Sequence, residues 1–390
     1  MSNTEQQRQH FPFLHNKYYF NYGGQGPLPD VAMKAIIDTY QEIERIGPFS
    51  TQANLRIAQI TNSLRKAIAS ELGVEPTQIT LTENVTAGCN IVLWGIDWRQ
   101  GDRLILSDCE HPGIVAIVQE IARRFSVEVV TYPLLATLNQ DNPLKVIEKY
   151  LCSGTRLLIL SHLLWNTGDL LDLEQIVRLA HQYSIPVLAD AAQSVGSIPL
   201  DLTALDIDYY AFTGHKWLCG PGGVGGLYTN PNALAEIQPT FIGWRGVNLD
   251  KSGQPIGWKP GGLKLEVATS AYPLYEGLRE AIALHQQWGT PQQRYAQICQ
   301  LSAYLWEKLA KISEINCLLD SPPQGGLVSF TVNPKLAHPE LLKLLEEQGF
   351  LLRTLTHPNC LRACVHYFTL VSEIDRLVEL IEMKVSSFSF

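Results

Sequence analysis

A chain of 390 residues that is 46% apolar, 17% charged and 9% aromatic has the make-up of a folded globular protein with two or three domains, which excludes a disordered tract and a small stapled scaffold. Thirty Lys and Arg against 38 Asp and Glu leave a net charge of −8, which opposes nonspecific attachment to nucleic acid or to an anionic membrane surface and points to a small-molecule partner. The longest uncharged stretch, 217–235, is rich in glycine and broken by Pro221 and Pro231, so no membrane-spanning helix is expected. Residues Met1–His10 are polar and lack the apolar core of a signal peptide, so the expected location is cytoplasmic. Cys89, Cys109, Cys152, Cys219, Cys299, Cys317, Cys360 and Cys364 stand singly with no Cys-x-x-Cys pair, which argues against zinc sites and a disulfide framework. Most are expected to be buried thiols, and no metal site is expected.

In chain order, short runs rich in leucine or β-branched residues predict strands at Arg103–Ser107, Val127–Tyr132, Arg156–Ser161, Pro186–Asp190 and Asp208–Phe212. Stretches of helical period such as Leu173–Tyr183 separate them, a βαβ rhythm that predicts an α/β fold. Leu157–Leu160 and Val187–Ala189 are continuously apolar, as central strands of a parallel sheet covered on both faces are. After the Gly/Pro-rich stretch 253–262 the texture changes. Helices are expected at Leu274–Trp288, Pro291–Ile312, Glu340–Glu347 and Ser372–Lys384, and strands at Gly326–Val332 and Phe350–Thr354. The expected division is a large domain over 18–255 and a smaller α+β domain made of 1–17 and 256–390.

Two local patterns carry chemistry. Lys216 follows the predicted strand 208–212 within Thr213-Gly214-His215-Lys216-Trp217 and ahead of a glycine-rich loop. Apolar surroundings lower an amine's pKa and make it a Schiff-base nucleophile, whereas an ordinary lysine is solvated. Asp190 ends a strand and opens Ala191-Ala192-Gln193, where ligands of open α/β sheets sit; its other reading is a helix cap. The 26 residues from Asp190 to Lys216 leave room for one crossover and one more strand, so both side chains can reach one cleft.

The pair Asp190-Ala191-Ala192-Gln193 and Thr213-Gly214-His215-Lys216 resembles the signature of the class V aminotransferase group of pyridoxal-phosphate (PLP) enzymes, which includes the cysteine desulfurases. Three further segments resemble that group in order: Tyr19-Phe20-Asn21-Tyr22-Gly23-Gly24, Glu110-His111-Pro112 and Glu266-Val267-Ala268-Thr269. The resemblance implies the PLP-dependent transferase fold type I, with a mostly parallel seven-stranded sheet in the large domain and a smaller α+β C-terminal domain. It implies that Lys216 holds the cofactor covalently and moves protons, that Asp190 pairs with the pyridine nitrogen, that His111 lies over the ring, and that Gln193 bonds the ring hydroxyl oxygen. Thr86, Thr213 and His215 are implied as phosphate contacts, Thr86 being alternatively a helix cap, and Thr269 as a phosphate contact to the neighbouring subunit of a homodimer with shared sites. Gly23, Gly24, Arg353 and Arg362 are implied in substrate binding, with Arg362 as the carboxylate anchor.

Two departures shape the functional expectation. Desulfurases carry their sulfur-accepting cysteine on a long segment between the two arginines; here eight residues separate Arg353 from Arg362, and Cys360 stands at strand spacing from Arg362. The cofactor-contacting asparagine is also displaced by one position, to Asn166. Within the group the sequence resembles the cyanobacterial cysteine/cystine C–S lyases, which are shortened at that place. The resemblance implies β-elimination of L-cystine, and more weakly of L-cysteine, to pyruvate, ammonia and cysteine persulfide or sulfide, with sulfur supply to iron–sulfur clusters through an acceptor protein. The alternatives are a cysteine desulfurase using Cys360, a class V aminotransferase, or a sulfur-relay scaffold without turnover.

Overall fold

The computed structural model describes residues 3–140, 142–332 and 336–387; Met1 and Ser2 of the polar N-terminal stretch and the last three residues of the expected second domain lie outside them. Seven strands, β1 (Ile79–Thr82), β2 (Arg103–Ser107), β3 (Glu128–Tyr132), β4 (Thr155–Ser161), β5 (Val187–Asp190), β6 (Tyr209–Thr213) and β7 (Gly225–Thr229), form one sheet in the order β1-β7-β6-β5-β4-β2-β3. β7 alone runs opposite to the other six strands of this sheet, so the sheet is mixed but mostly parallel.

The apolar runs are explained by burial on both faces. Ile105, Leu158, Leu160, Val187, Ala189, Tyr210 and Phe212 face one apolar core. The alternate residues Leu104, Leu106, Leu157, Ile159, Leu188, Tyr209 and Ala211 face another. Period-two side chains on a sheet clad by helices on each side leave no polar face.

A second, antiparallel sheet of four strands has the order Ile315–Cys317, Leu327–Val332, Asn359–Cys364, Arg353–Thr356. With helices Pro291–Leu309, His338–Glu347 and Val371–Ser387 it encloses its own core, which includes Leu305, Phe330, Leu341 and Ile374. The strand expected over Phe350–Thr354 is two strands. Phe350–Leu351 pairs in parallel with Tyr18–Tyr19, then Arg353–Thr356 turns into an antiparallel hairpin with Asn359–Cys364, so the chain changes partner at Leu352.

We propose two lobes that follow these cores. Helix Tyr272–Trp288 lies beyond residue 255 in the chain, yet its Tyr272, Tyr275, Leu278 and Ile282 join the core of the seven-stranded sheet. Phe20 joins the core of the smaller lobe.

Candidate active site

The carboxyl ends of β2, β4, β5 and β6 converge on a cavity of about 410 Å³ that the smaller lobe closes from the other side. Gly23, Gly24, Thr86, His111, Asp190, Gln193, His215, Lys216, Arg353 and Arg362 line it together. Thr213 lies just behind, with its Oγ1 2.6 Å from His215 Nδ1. Asn166 and Thr269 are elsewhere. Asn166 lines a neighbouring cavity, where its Nδ2 donates to the His357 carbonyl at 3.3 Å and its Oδ1 has no partner. Thr269 is exposed on the segment after Glu266.

Lys216 enters from the turn after β6. Desolvation pushes its amine down to about 8, with Arg362 and Arg353 adding to the shift and Asp190 opposing it. Asp190 ends β5, is buried, and accepts a hydrogen bond from Ala192 N–H at 2.9 Å; no helix follows, so the cap reading is realised only as this local turn. Burial raises its pKa, and Lys216 and His111 pull it back.

His111 caps helix Pro112–Phe125, its Nδ1 accepting from Gly113 N–H at 3.1 Å. The neutral ring therefore carries its proton on Nε2, and desolvation and the cations Lys216 and Arg353 hold its pKa low. The Trp165 ring meets it edge-on, with centroids 5.4 Å apart. Gln193 is clamped at both ends. Trp217 Nε1, which can only donate, bonds Gln193 Oε1 at 2.9 Å, and Gln193 Nε2 donates to the Gly23 carbonyl at 2.9 Å. One Nε2 hydrogen is left for a ligand oxygen.

At the start of helix Val85–Gly95 the cap is Asn84, whose Oδ1 accepts from Ala87 N–H. Thr86 is thereby freed from capping, and the N–H groups of Val85 and Thr86 keep no partner among the described residues. With the Thr86 hydroxyl and His215 they form a ready anion cup. Opposite, Arg353 and Arg362 are cross-strand neighbours, and neither has a carboxylate partner among the described residues. Arg362 is 1% exposed, and its guanidinium donates to the Trp165 carbonyl at 2.6 Å and to Asn21 Oδ1 at 3.4 Å. A Cβ on Gly23 would stand 3.0 Å from that guanidinium, so a side chain there would crowd the anchor.

Four contributors were not singled out from sequence: Asn21 and Trp165, which seat Arg362; Ser161, which lines the cavity; and Glu110. The Glu110 carboxylate accepts from Ser107 Oγ, from Ser161 N–H at 3.0 Å and from Ser161 Oγ at 2.9 Å, bracing β2 against β4. Burial pushes its pKa up to about 7. Asn21 and Glu110 lie inside segments that resemble the family and Trp165 directly precedes Asn166, which was the available signal. No cluster of His, Cys, Asp and Glu able to hold a metal ion exists among the described residues.

A sequence profile described as Aminotransferase class-V matches residues 18–377. The chain belongs to that family. Two solved structures of the cystine C–S lyase C-DES are each 51% identical: a lysine-to-alanine variant with glycine covalently linked to the PLP cofactor (TM-score 0.95, 96% of this chain and 98% of that one) and a complex with its reaction product cysteine persulfide (TM-score 0.94, 95% and 99%). A probable cysteine desulfurase of Methanothermobacter thermautotrophicus is 26% identical over 397 residues, 97% of each chain.

This member of the family is a PLP-dependent enzyme acting on C–S bonds. Its residues fit the cofactor on their own chemistry. A lysine of lowered pKa, a buried carboxylate, a spare amide hydrogen and an anion cup with two unpartnered N–H groups converge on one cavity.

Proposed function

We propose that this enzyme catalyses β-elimination of L-cystine, and more weakly of L-cysteine, to pyruvate, ammonia and cysteine persulfide or sulfide. The observation that carries the proposal is the hairpin between the two arginines. Arg353–Thr356 pairs residue for residue with Asn359–Arg362, so no long segment is available to carry a thiol to substrate. Cys360 sits within the second strand opposite Leu355, is 0% exposed and does not line the cavity, and burial pushes its thiol up to about 11. A buried, protonated thiol on a paired strand is a poor sulfur acceptor.

Bound PLP supplies an electron-withdrawing ring that takes up the electron pair released at the substrate Cα. The chain supplies the rest. Arg362 would fix the α-carboxylate, Lys216 would take the Cα proton, and Asp190 and His111 would hold bound PLP, the first keeping its pyridine nitrogen protonated and the second covering its ring. The pair released at Cα would then close a Cα=Cβ double bond as the Cβ–S bond breaks with its own pair on sulfur, which leaves as persulfide from cystine and sulfide from cysteine, and water would convert the carbon skeleton to pyruvate and ammonia. Cystine brings a second carboxylate, for which Arg353 is the matching unpaired cation. A persulfide is also the better leaving group. The released persulfide suits transfer to an acceptor protein, including one that builds iron–sulfur clusters.

Cys360→Ala is expected to retain most activity and to form pyruvate from cystine, measured by product analysis. Alanine as the wild-type product, with turnover lost in Cys360→Ala, would identify a desulfurase instead.

The proposal includes a homodimer whose sites are shared through Thr269. Phe241 (72% exposed), Ile242, Trp244, Ile256 (66% exposed) and Trp258 are exposed apolar side chains on the segment leading to Thr269, and their concentration there is suited to a second copy. Sedimentation is expected to give a dimer. Thr269→Ala should lower activity only in part, because Thr86, Thr213 and His215 still hold the phosphate; full activity in a monomer would refute the shared site. No helix among the described residues is long and apolar enough to cross a membrane.

A further inference from the structure

The turn that carries Lys216 belongs to neither helix nor strand and is buried apart from the half-buried His215 and Lys216, so its carbonyls need donors that no regular element supplies. Four consecutive carbonyls have one each. Gly26 N–H donates to His215 at 2.7 Å and Cys219 N–H to Lys216 at 3.0 Å. His366 Nε2 donates to Trp217 at 3.0 Å and His285 Nε2 to Leu218 at 2.9 Å. A carbonyl only accepts, so both imidazoles carry their proton on Nε2.

We propose that His366, with His285 stacked against it, is a positioning residue that ties the Lys216 turn to the strand carrying Arg362, and so sets the catalytic amine relative to the substrate carboxylate. The inference rests on the roles given above to Lys216 and Arg362.

The geometry supports a rigid link. The two imidazoles are 5.5 Å apart at 28°, and Tyr22, Trp217 and Phe368 enclose His366 at 4.9, 5.7 and 4.3 Å between ring centroids. His366 follows strand Asn359–Cys364 by two residues. Its own N–H donates to Thr369 Oγ1 at 2.9 Å, while Cys364 N–H bonds the Phe20 carbonyl and Val365 N–H the Gly326 carbonyl. His285 comes from helix Tyr272–Trp288, and its Nδ1 is 2.6 Å from the Tyr367 hydroxyl, which in turn accepts from Gln7 Nε2 at 2.8 Å. Burial keeps both rings neutral, with the Arg294 charge also opposing protonation; the His285 pKa falls to about 3. There is no slack on the other side of the turn, where a Cβ on Gly26 would stand 2.3 Å from the Lys216 carbonyl oxygen. A single side chain from the smaller lobe thus spans the joint between the amine and the anchor.

The test uses the full-length holoenzyme with His366→Phe, which keeps a ring but has no donor, and His366→Gln, whose amide nitrogen stands near the Nε2 position. Two readouts are taken: the midpoint of the pH titration of the resting enzyme's visible absorption, and kcat and KM for cystine. His366→Phe is expected to shift the absorption midpoint and lower kcat by about 100-fold, the scale of an ångström of misplacement, and His366→Gln to restore both. Should His366→Phe not fold, His366→Asn, whose amide falls short of the Trp217 carbonyl, replaces it in the comparison with His366→Gln. Equal midpoints and kcat for wild type and the donor-less variant, or equal losses in the Gln and donor-less variants, would overturn the proposal. The absorption readout needs no turnover, so it is independent of whether pyruvate is the product.

Discussion

Lys216→Ala should still bind PLP through the anion cup, Gln193 and Asp190, but without a covalent bond, and turnover should fall by at least the roughly 10²- to 10⁴-fold that a positioned general base contributes. Borohydride reduction followed by peptide mapping checks the first point: the cofactor should be fixed to the peptide containing residue 216 in the wild type and to none in the variant. Cofactor fixed to another lysine of the wild type would remove Lys216 from its role. The same substitution has a stability signature. Desolvation holds the Lys216 amine near 8, below its value in the unfolded chain. The unfolded state therefore binds the proton more tightly between those values, and the cofactor-free wild type should gain stability as pH rises above about 8. Lys216→Ala should lose that slope in denaturant titrations repeated across pH.

Arg362→Ala should be the most damaging change outside the cofactor shell. Truncating one partner of a buried, hydrogen-bonded charge pair costs about 2 to 5 kcal/mol, which is roughly 30- to 5,000-fold in kcat/KM. Arg362 also donates to the Trp165 carbonyl, and Trp165 meets His111 edge-on, so its loss should disturb the ring-covering histidine as well. Arg353→Ala separates the two guanidiniums. Arg353 is exposed and its guanidinium has no hydrogen-bond partner among the described residues, so its removal should raise KM for cystine more than for cysteine while leaving kcat nearly unchanged. Equal effects on the two substrates would remove the second-carboxylate role from Arg353.

The α/β class, the positions of the parallel strands and the placing of Asp190 and Lys216 at one cleft were legible in the sequence, because each is written locally, whereas the other expected site residues came from the resemblance and Ser161 and Trp165 from the folded chain. Continuous apolar runs such as Leu157–Leu160 report burial on both faces, and Asp190 ends one strand while Lys216 lies in the turn after the next, where topology places a cleft. The shortness of the segment between Arg353 and Arg362 was likewise countable. What the chain order did not reveal depends on contacts between distant segments. Helix Tyr272–Trp288 packs with the sheet-bearing core although it follows the Gly/Pro-rich stretch, since only the folded chain shows which core its apolar face meets. The break at Leu352 arises because Tyr18–Tyr19, more than 300 residues away, supplies a strand partner. Asn166 turns from the cofactor cavity toward His357, a choice made by the hairpin lying beside it. His285 and His366 carry no motif that marks them as a pair; they meet on the carbonyls after Lys216 because a buried turn leaves acceptors that only side chains from two other segments can satisfy.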